Sequence, residues 1–364
     1  MYAIGIIVAL VALPMFAQTA KNEDSPKTYG IDYMPINSND KKIEEELEEK
    51  EHQQYEAKQA SLATTSGSQL VYQGGSVEVT PRTYVIFWGS QWSSDPAGEA
   101  NYLKSFLGGL YGTQDNWSTV ASQYCQGAAI GSLTCSGPAQ SVVHPNTSPL
   151  GGYWSDSATA APSSPSQIDL QNEAIKAAAH FGNTTAAANK NVQYVVATSH
   201  NNNQAGFGTQ WCAWHSAVDS GYGTIAYTNL PYIPDVTWQC GANQVNAGTA
   251  GNLDGVSIVA GHEYVESITD PFPNTGWVDN STAEIADKCA WQYERNLPLA
   301  TGTFAVQGLW SNIVSSTGAC VNSYTLPTPP STTTTQATTT TIATTTTTKA
   351  PTTTSSTRRR RFFR

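Results

Sequence analysis

The residues best suited to chemistry fall in one stretch, 261–289, reading GHEYVESITDPFPNTGWVDNSTAEIADKC. His262 and Glu266 are four apart, so a helix sets them on one face. Glu263 follows His262 directly. In the His-Glu-x-x-His arrangement this spacing puts two ligands on a metal ion and leaves the intervening Glu beside the bound water. Here Glu266 stands in place of the second His. A carboxylate is a competent zinc ligand, but a harder donor set also suits other divalent ions. The expected cofactor is Zn2+, with another divalent ion as the alternative.

A catalytic metal needs a third protein ligand and an open position for water. Glu284 and Asp287, in AEIAD, lie downstream. The expected assignment puts His262, Glu266 and Glu284 on the ion and has Asp287 orient the ligating His. Asp270, further along the first helix, competes for the third position. Glu263 is the expected general base, acting on water acidified by the metal. His215 follows Cys212 by three in a Trp-rich segment read as a loop. It can polarise a carbonyl or stabilise an oxyanion, or it can be a hydrogen-bonded structural residue. His200, in SHNNNQ, is a further imidazole. Trp211, Trp214, Trp277 and Trp291 either line a groove for sugar or peptide or fill a core.

The elements that must position these residues are legible in outline. Residues 83–89 (TYVIFWG), 192–197 (VQYVVA) and 223–229 (GTIAYTN) read as buried strands. Residues 96–111 have helical spacing, with Tyr102, Leu103, Phe106, Leu107 and Leu110 on one face. Residues 168–181 form a second helix closed by Gly182. Residues 256–269 form a third, which stops at Asp270-Pro271. Strands alternating with helices predict an α/β or α+β fold, with helices packed on a mixed sheet. Residues 68–324 are long enough for one large core.

Four parts follow from composition. Residues 1–20 read as a signal peptide: an apolar run over 3–13, too short to span a bilayer, followed by Ala17 and Ala20. Residues 21–67 are polar, with one helical stretch at 43–60, and read as a spacer or propeptide. Residues 68–324 hold all six cysteines and form the globular domain. Residues 325–364 are a Thr/Pro-rich, disordered stalk ending in RRRRFFR. An even cysteine count in an exported chain suggests full pairing, and six cysteines allow about fifteen connectivities. Sequence order makes Cys125–Cys135, Cys212–Cys240 and Cys289–Cys320 the simplest. Sequons at Asn116, Asn146, Asn183 and Asn280 allow glycans. The net charge of −10 and the absence of a basic stripe argue against nucleic acid. No later stretch is apolar enough to cross a membrane.

Taken in order, GHEYVESITDP, GWVD, EIADKC, LWSN and Cys320 resemble a group of secreted bacterial and fungal proteins described as metallopeptidases. These are similar to the plant EXORDIUM (phosphate-induced protein 1) family. TYVIFWGSQW, YVVATS and Cys212-Ala-Trp-His215 agree, and the likeness runs over residues 81–321. It implies His262, Glu266, Glu284 and Asp287 as the metal set with Glu263 beside them, and it argues against Asp270. It also implies a single zincin-like domain.

The expected function is a secreted, metal-dependent hydrolase, a zinc peptidase whose water is activated by Glu263. The partner is an extracellular peptide or polysaccharide, and the protein is expected to be a monomer. The alternative is a non-catalytic cell-wall or carbohydrate-binding EXORDIUM-like protein, in which the same acids are structural. A metal-free acid hydrolase using paired carboxylates is a third reading.

Overall fold

The computed structural model describes residues 29–37, 69–202 and 204–325. The signal segment, the helical stretch at 43–60 and the stalk beyond residue 325 lie outside them. In chain order the strands are β1 (Asp32–Pro35), β2 (Val71–Tyr72), β3 (Arg82–Trp88), β4 (Cys125–Gln126), β5 (Gln140–Ser141), β6 (Leu150–Asp156) and β7 (Val192–Thr198). They continue with β8 (Trp211–Ser220), β9 (Gly223–Leu230), β10 (Trp277–Val278), β11 (Arg295–Leu299), β12 (Gly302–Val306), β13 (Leu309–Ser311) and β14 (Ala319–Val321). The helices are α1 (Glu99–Gly109), α2 (Gln167–His180), the one-turn α3 (Ala186–Asn189) and α4 (Asp254–Thr269).

The main sheet has six strands in the order β1-β8-β9-β7-β3-β6. The β9-β7-β3-β6 half is parallel, while β8 and β1 run antiparallel to their neighbours. This is the mixed α/β architecture expected from the alternation of elements. Helices cover both faces. Tyr194 points to the α3 side, bonding Asn189 Oδ1 at 2.7 Å. Its neighbour Gln193 points to α4, donating to Ser267 Oγ at 2.7 Å and to the Glu263 carbonyl at 3.2 Å.

Each helix has a local reason to start where it does. Ser166 and Asp169 form a capping box at the head of α2. The Asp95 carboxylate accepts the N–H groups of Gly98, Glu99 and Ala100 at the head of α1. The helix α4 carries the site and is buried along its whole length, with no polar face. It lies between the β8–β9 side of the sheet and a second layer made of α1 and the β11–β12 hairpin. Gly255 in its first turn lies against the Cys240 carbonyl, where a Cβ would come within 1.8 Å. At its far end Pro271 stops the helix.

Two sequence expectations need correction. Residues 211–220 are the longest strand of the sheet, β8, and not a loop. Their polar and aromatic residues hide no alternation because Trp211–Ala217 are buried on both faces. The globular unit also does not begin near residue 68: β1, inside the segment read as spacer or propeptide, is an edge strand of the main sheet. Four residues among polar neighbours carry too little pattern to announce a strand.

The three disulfides pair as sequence order suggested: Cys125–Cys135, Cys212–Cys240 and Cys289–Cys320. Each closes a local loop and stabilises on the order of 3 kcal/mol by restricting the unfolded chain. Cys212–Cys240 ties the start of β8 to the turn packed against Gly255. Cys289–Cys320 ties the segment after Asp287 to the β13–β14 hairpin. No helix among the described residues is long and apolar enough to cross a membrane.

Candidate metal centre

The fold brings His215, His262, Glu263, Glu266, Glu284 and Asp287 into one cluster under the β1–β8 edge of the sheet. His262, Glu263 and Glu266 come from the middle of α4, His215 from β8. Glu284 sits in an irregular segment and Asp287 opens a single 3-10 turn, so no later helix carries them. The side chains of His215, His262, Glu266 and Glu284 have no exposed surface, while that of Asp287 is 17% exposed.

Two triads share Glu266. In the first, His262 Nε2 is 3.1 Å from Glu266 Oε1 and 3.4 Å from Asp287 Oδ1. In the second, His215 Nδ1 is 3.1 Å from Glu263 Oε2 and 3.8 Å from Glu266 Oε2. Each triad presents one ligand atom per residue within 4.8 Å of the others, a spacing that can hold a metal ion.

The first triad has the stronger case. Gln307 Nε2 donates to the Ala286 carbonyl at 2.8 Å, which leaves Gln307 Oε1 facing His262 Nδ1 at 3.3 Å. That oxygen can only accept, so Nδ1 of His262 carries a proton and Nε2 is the atom turned toward two carboxylate oxygens. Nε2 makes no properly directed hydrogen bond, despite its close neighbours. Nε2 and two carboxylate oxygens therefore converge on one point. Ligands about 2.1 Å from a shared ion lie about 3.4 Å apart at tetrahedral angles, close to both observed separations. The Asp287 backbone N–H donates to Glu266 Oε1 at 2.9 Å and steadies that ligand.

The second triad is a hydrogen-bonded pair with a neighbour. His215 Nε2 faces the Asp270 carbonyl at 3.3 Å, and Nδ1 faces Glu263. Burial alone lowers the imidazole pKa, but the Glu263 hydrogen bond and the charges of Glu263, Glu266 and Asp32 outweigh it, raising it to about 9. His215 is thus held as an imidazolium near neutral pH. Glu263 Oε2 is engaged by this pair, while Oε1 has no partner.

The remaining acids feel one another. Burial, partly offset by His262 and reinforced by Asp287, raises Glu266 to about 7. Burial, then Asp270, Asp32 and Glu266, hold Glu284 well above the carboxylate range. Burial opposes the charge on His262 too, but Glu266 and Asp287 raise its pKa well above the usual value.

Of the two downstream acids, only Asp287 meets His262. Asp287 lies against His262, whereas Glu284 Oε1 faces His215 Nε2 at 3.6 Å. Asp270 is spent on structure: its carboxylate accepts the N–H groups of Asn274, Thr275 and Gly276 in the turn after α4. His200 pairs with Asp235, away from the cluster. Trp211, Trp214, Trp277 and Trp291 are buried core residues.

Sequence reasoning missed Asp32 and Gln307. Asp32 lies directly opposite His215 in the β1–β8 ladder. Burial, with the charges of Asp287 and Glu266, raises its pKa well above normal. Its short strand alternates Asp32 and Met34 inward with Tyr33 outward, a pattern visible only with hindsight of the pairing. A lone Gln after β12 gives no sequence signal. Compared with known proteins, the chain matches no family model, no curated protein and no solved structure.

Proposed function

We propose that this protein is a secreted metal-dependent hydrolase that cleaves peptide bonds. The observation that carries the reading is the convergence of His262 Nε2, Glu266 Oε1 and Asp287 Oδ1, two of them fully buried, on an imidazole whose Nδ1 faces Gln307. These residues would hold the ion, and a donor set of one nitrogen and two oxygens suits Zn2+ or a harder divalent ion. The ion supplies Lewis-acid polarisation of a carbonyl and an acidified water. Glu263, whose Oε1 has no partner, would accept a proton from the attacking water and pass it to the leaving amine. The His215 imidazolium, its two N–H groups turned to Glu263 and the Asp270 carbonyl, would favour by its positive charge, without a direct hydrogen bond, the negative charge that builds on the carbonyl oxygen. Glu284 and Asp32, kept from ionising by burial and by their acidic neighbours, would ionise beside a cation and favour its retention. Three disulfides agree with an extracellular protein, and the signal-like N-terminus supports export.

The test is metal content and hydrolysis together. Wild-type protein loaded with zinc is expected to bind about one equivalent at this triad and to hydrolyse a denatured polypeptide. Glu263→Gln is expected to keep the metal and lose at least ~100-fold in rate. Protein that takes up neither zinc, manganese nor cobalt overturns the reading.

A second reading, a non-catalytic extracellular binding protein with a structural ion, is favoured by the closure of the cluster. Metal retained tightly, with no hydrolysis by wild type under any condition, would select it.

A further inference from the structure

A hydrolase must admit its substrate, yet His215, His262, Glu266 and Glu284 are sealed from solvent. The cover on the open side of β8 is β1. It is the outermost strand of the sheet and pairs with β8 alone. The register sets Asp32 opposite His215, Tyr33 opposite Trp214, Met34 opposite Ala213 and Pro35 opposite Trp211. Asp32 faces Glu284, with Glu266, Asp287 and His215 close by. Met34 is fully buried and Tyr33 is 44% exposed. Residues 38–68 separate this strand in sequence from the rest of the described domain.

Adding an extended segment antiparallel to a sheet edge is a general way to hold a peptide: the main chain gives affinity and alternate side chains give selectivity. Resting on the hydrolase reading above, we propose that the outer edge of β8 is the docking strand for an extended polypeptide, and that residues 32–35 are the chain's own occupant of it, with the Asp32 carboxylate beside the cation centre in place of a substrate carbonyl.

Three observations support this. Asp32 is an acid directed into a group of buried acids, a placement that weakens a fold and makes sense as an oxygen donor to a cation. It stands in the same row as His215, the group assigned to the developing oxyanion. Two residues on, Met34 is fully buried in the apolar core, so an extended peptide on this edge would place a large apolar side chain there. The favoured ligand is then a polypeptide in extended conformation with a large apolar residue two positions after the carbonyl at the metal.

The experiment uses the full chain with a protease recognition sequence inserted between residues 38 and 68 and cut after folding. The cut protein is expected to lose its N-terminal fragment on dilution and to remain folded by circular dichroism. It is then expected to rebind a labelled peptide covering residues 29–37, with the Asp32→Asn peptide at least ten-fold weaker in zinc, and to hydrolyse denatured polypeptide at least ten-fold faster than uncut protein. A fragment that leaves only when the domain unfolds makes β1 an ordinary strand and overturns the proposal. So does a depleted protein that fails to rebind the peptide. Rebinding without hydrolysis keeps the docking edge and removes the hydrolase reading instead.

Discussion

Gln307 Oε1 lies 3.3 Å from His262 Nδ1, and its own amide is anchored on the Ala286 carbonyl, so a residue in the second layer dictates which nitrogen of His262 is available. The same anchor spans the centre: Ala286 is the neighbour of Asp287, so one glutamine sets both the ring and the segment that carries the facing acid.

Gln307→Leu is therefore expected to weaken zinc binding about 10- to 100-fold, the usual cost of losing such a partner. Gln307→Glu keeps the acceptor for Nδ1 but loses the donor to the Ala286 carbonyl, so it should recover only part of that loss. Competition against a chromophoric chelator measures both, and equal affinities for wild type and Gln307→Leu would refute the tautomer argument.

Asp287 and Glu284 make a discriminating pair. Asp287→Asn should lower zinc affinity strongly, because its oxygen lies against His262. Glu284→Gln should lower it less, since Glu284 faces His215 and Asp32. Isothermal titration of the two variants decides the order, and the reverse order would move the ion toward His215 and Glu284.

Stability without metal should fall as pH rises. Glu266 is raised to about 7 and Asp270 to about 6, so the folded state holds protons that the unfolded chain releases from about pH 4 upward. Stability is lost through that window. His215, raised to about 9, contributes stability that is complete below its unfolded pKa and disappears as pH climbs toward 9. Both groups act in the same direction. In chelator, the melting temperature should drop by several degrees between pH 5 and pH 8, on the order of 3 kcal/mol. Added zinc should recover more at pH 8 than at pH 5, because it competes with protons for the same atoms. Thermal melts at both pH values, with and without zinc, check the sign.

Removing Cys289–Cys320 by paired Ser substitutions should cost about 3–4 kcal/mol, given the loop of separation 31 that it closes. It should also loosen zinc, because Asp287 sits two residues from Cys289 on the pinned turn. A drop in melting temperature with unchanged zinc affinity would show that the turn holds without the bridge.

Much of the scaffold was legible in the chain. The strands around Tyr84, Tyr194 and Ile225 and the helices around Phe106, Ala174 and Val259 follow from apolar runs and spacing, within two or three residues of their observed ends. The β8 strand was not legible, because a segment buried on both faces shows no alternation and its tryptophans and histidine resemble a loop. Nor was β1, whose four residues gain their meaning from a partner far along the chain.

The sequence by itself determined that His262, Glu263 and Glu266 share one helix, because a period of 3.6 residues is a local property of the backbone. It also made the three nearest-neighbour disulfides the simplest pairing, a local choice in loop closure. Only the tertiary structure decided that Asp287 faces His262 while Glu284 faces His215, and that Asp32 and Gln307 join them. Those choices depend on strand register and on where a loop is pinned in space. Neither is encoded in spacing along the chain, since a shift of one residue reverses which side of a strand a carboxylate meets.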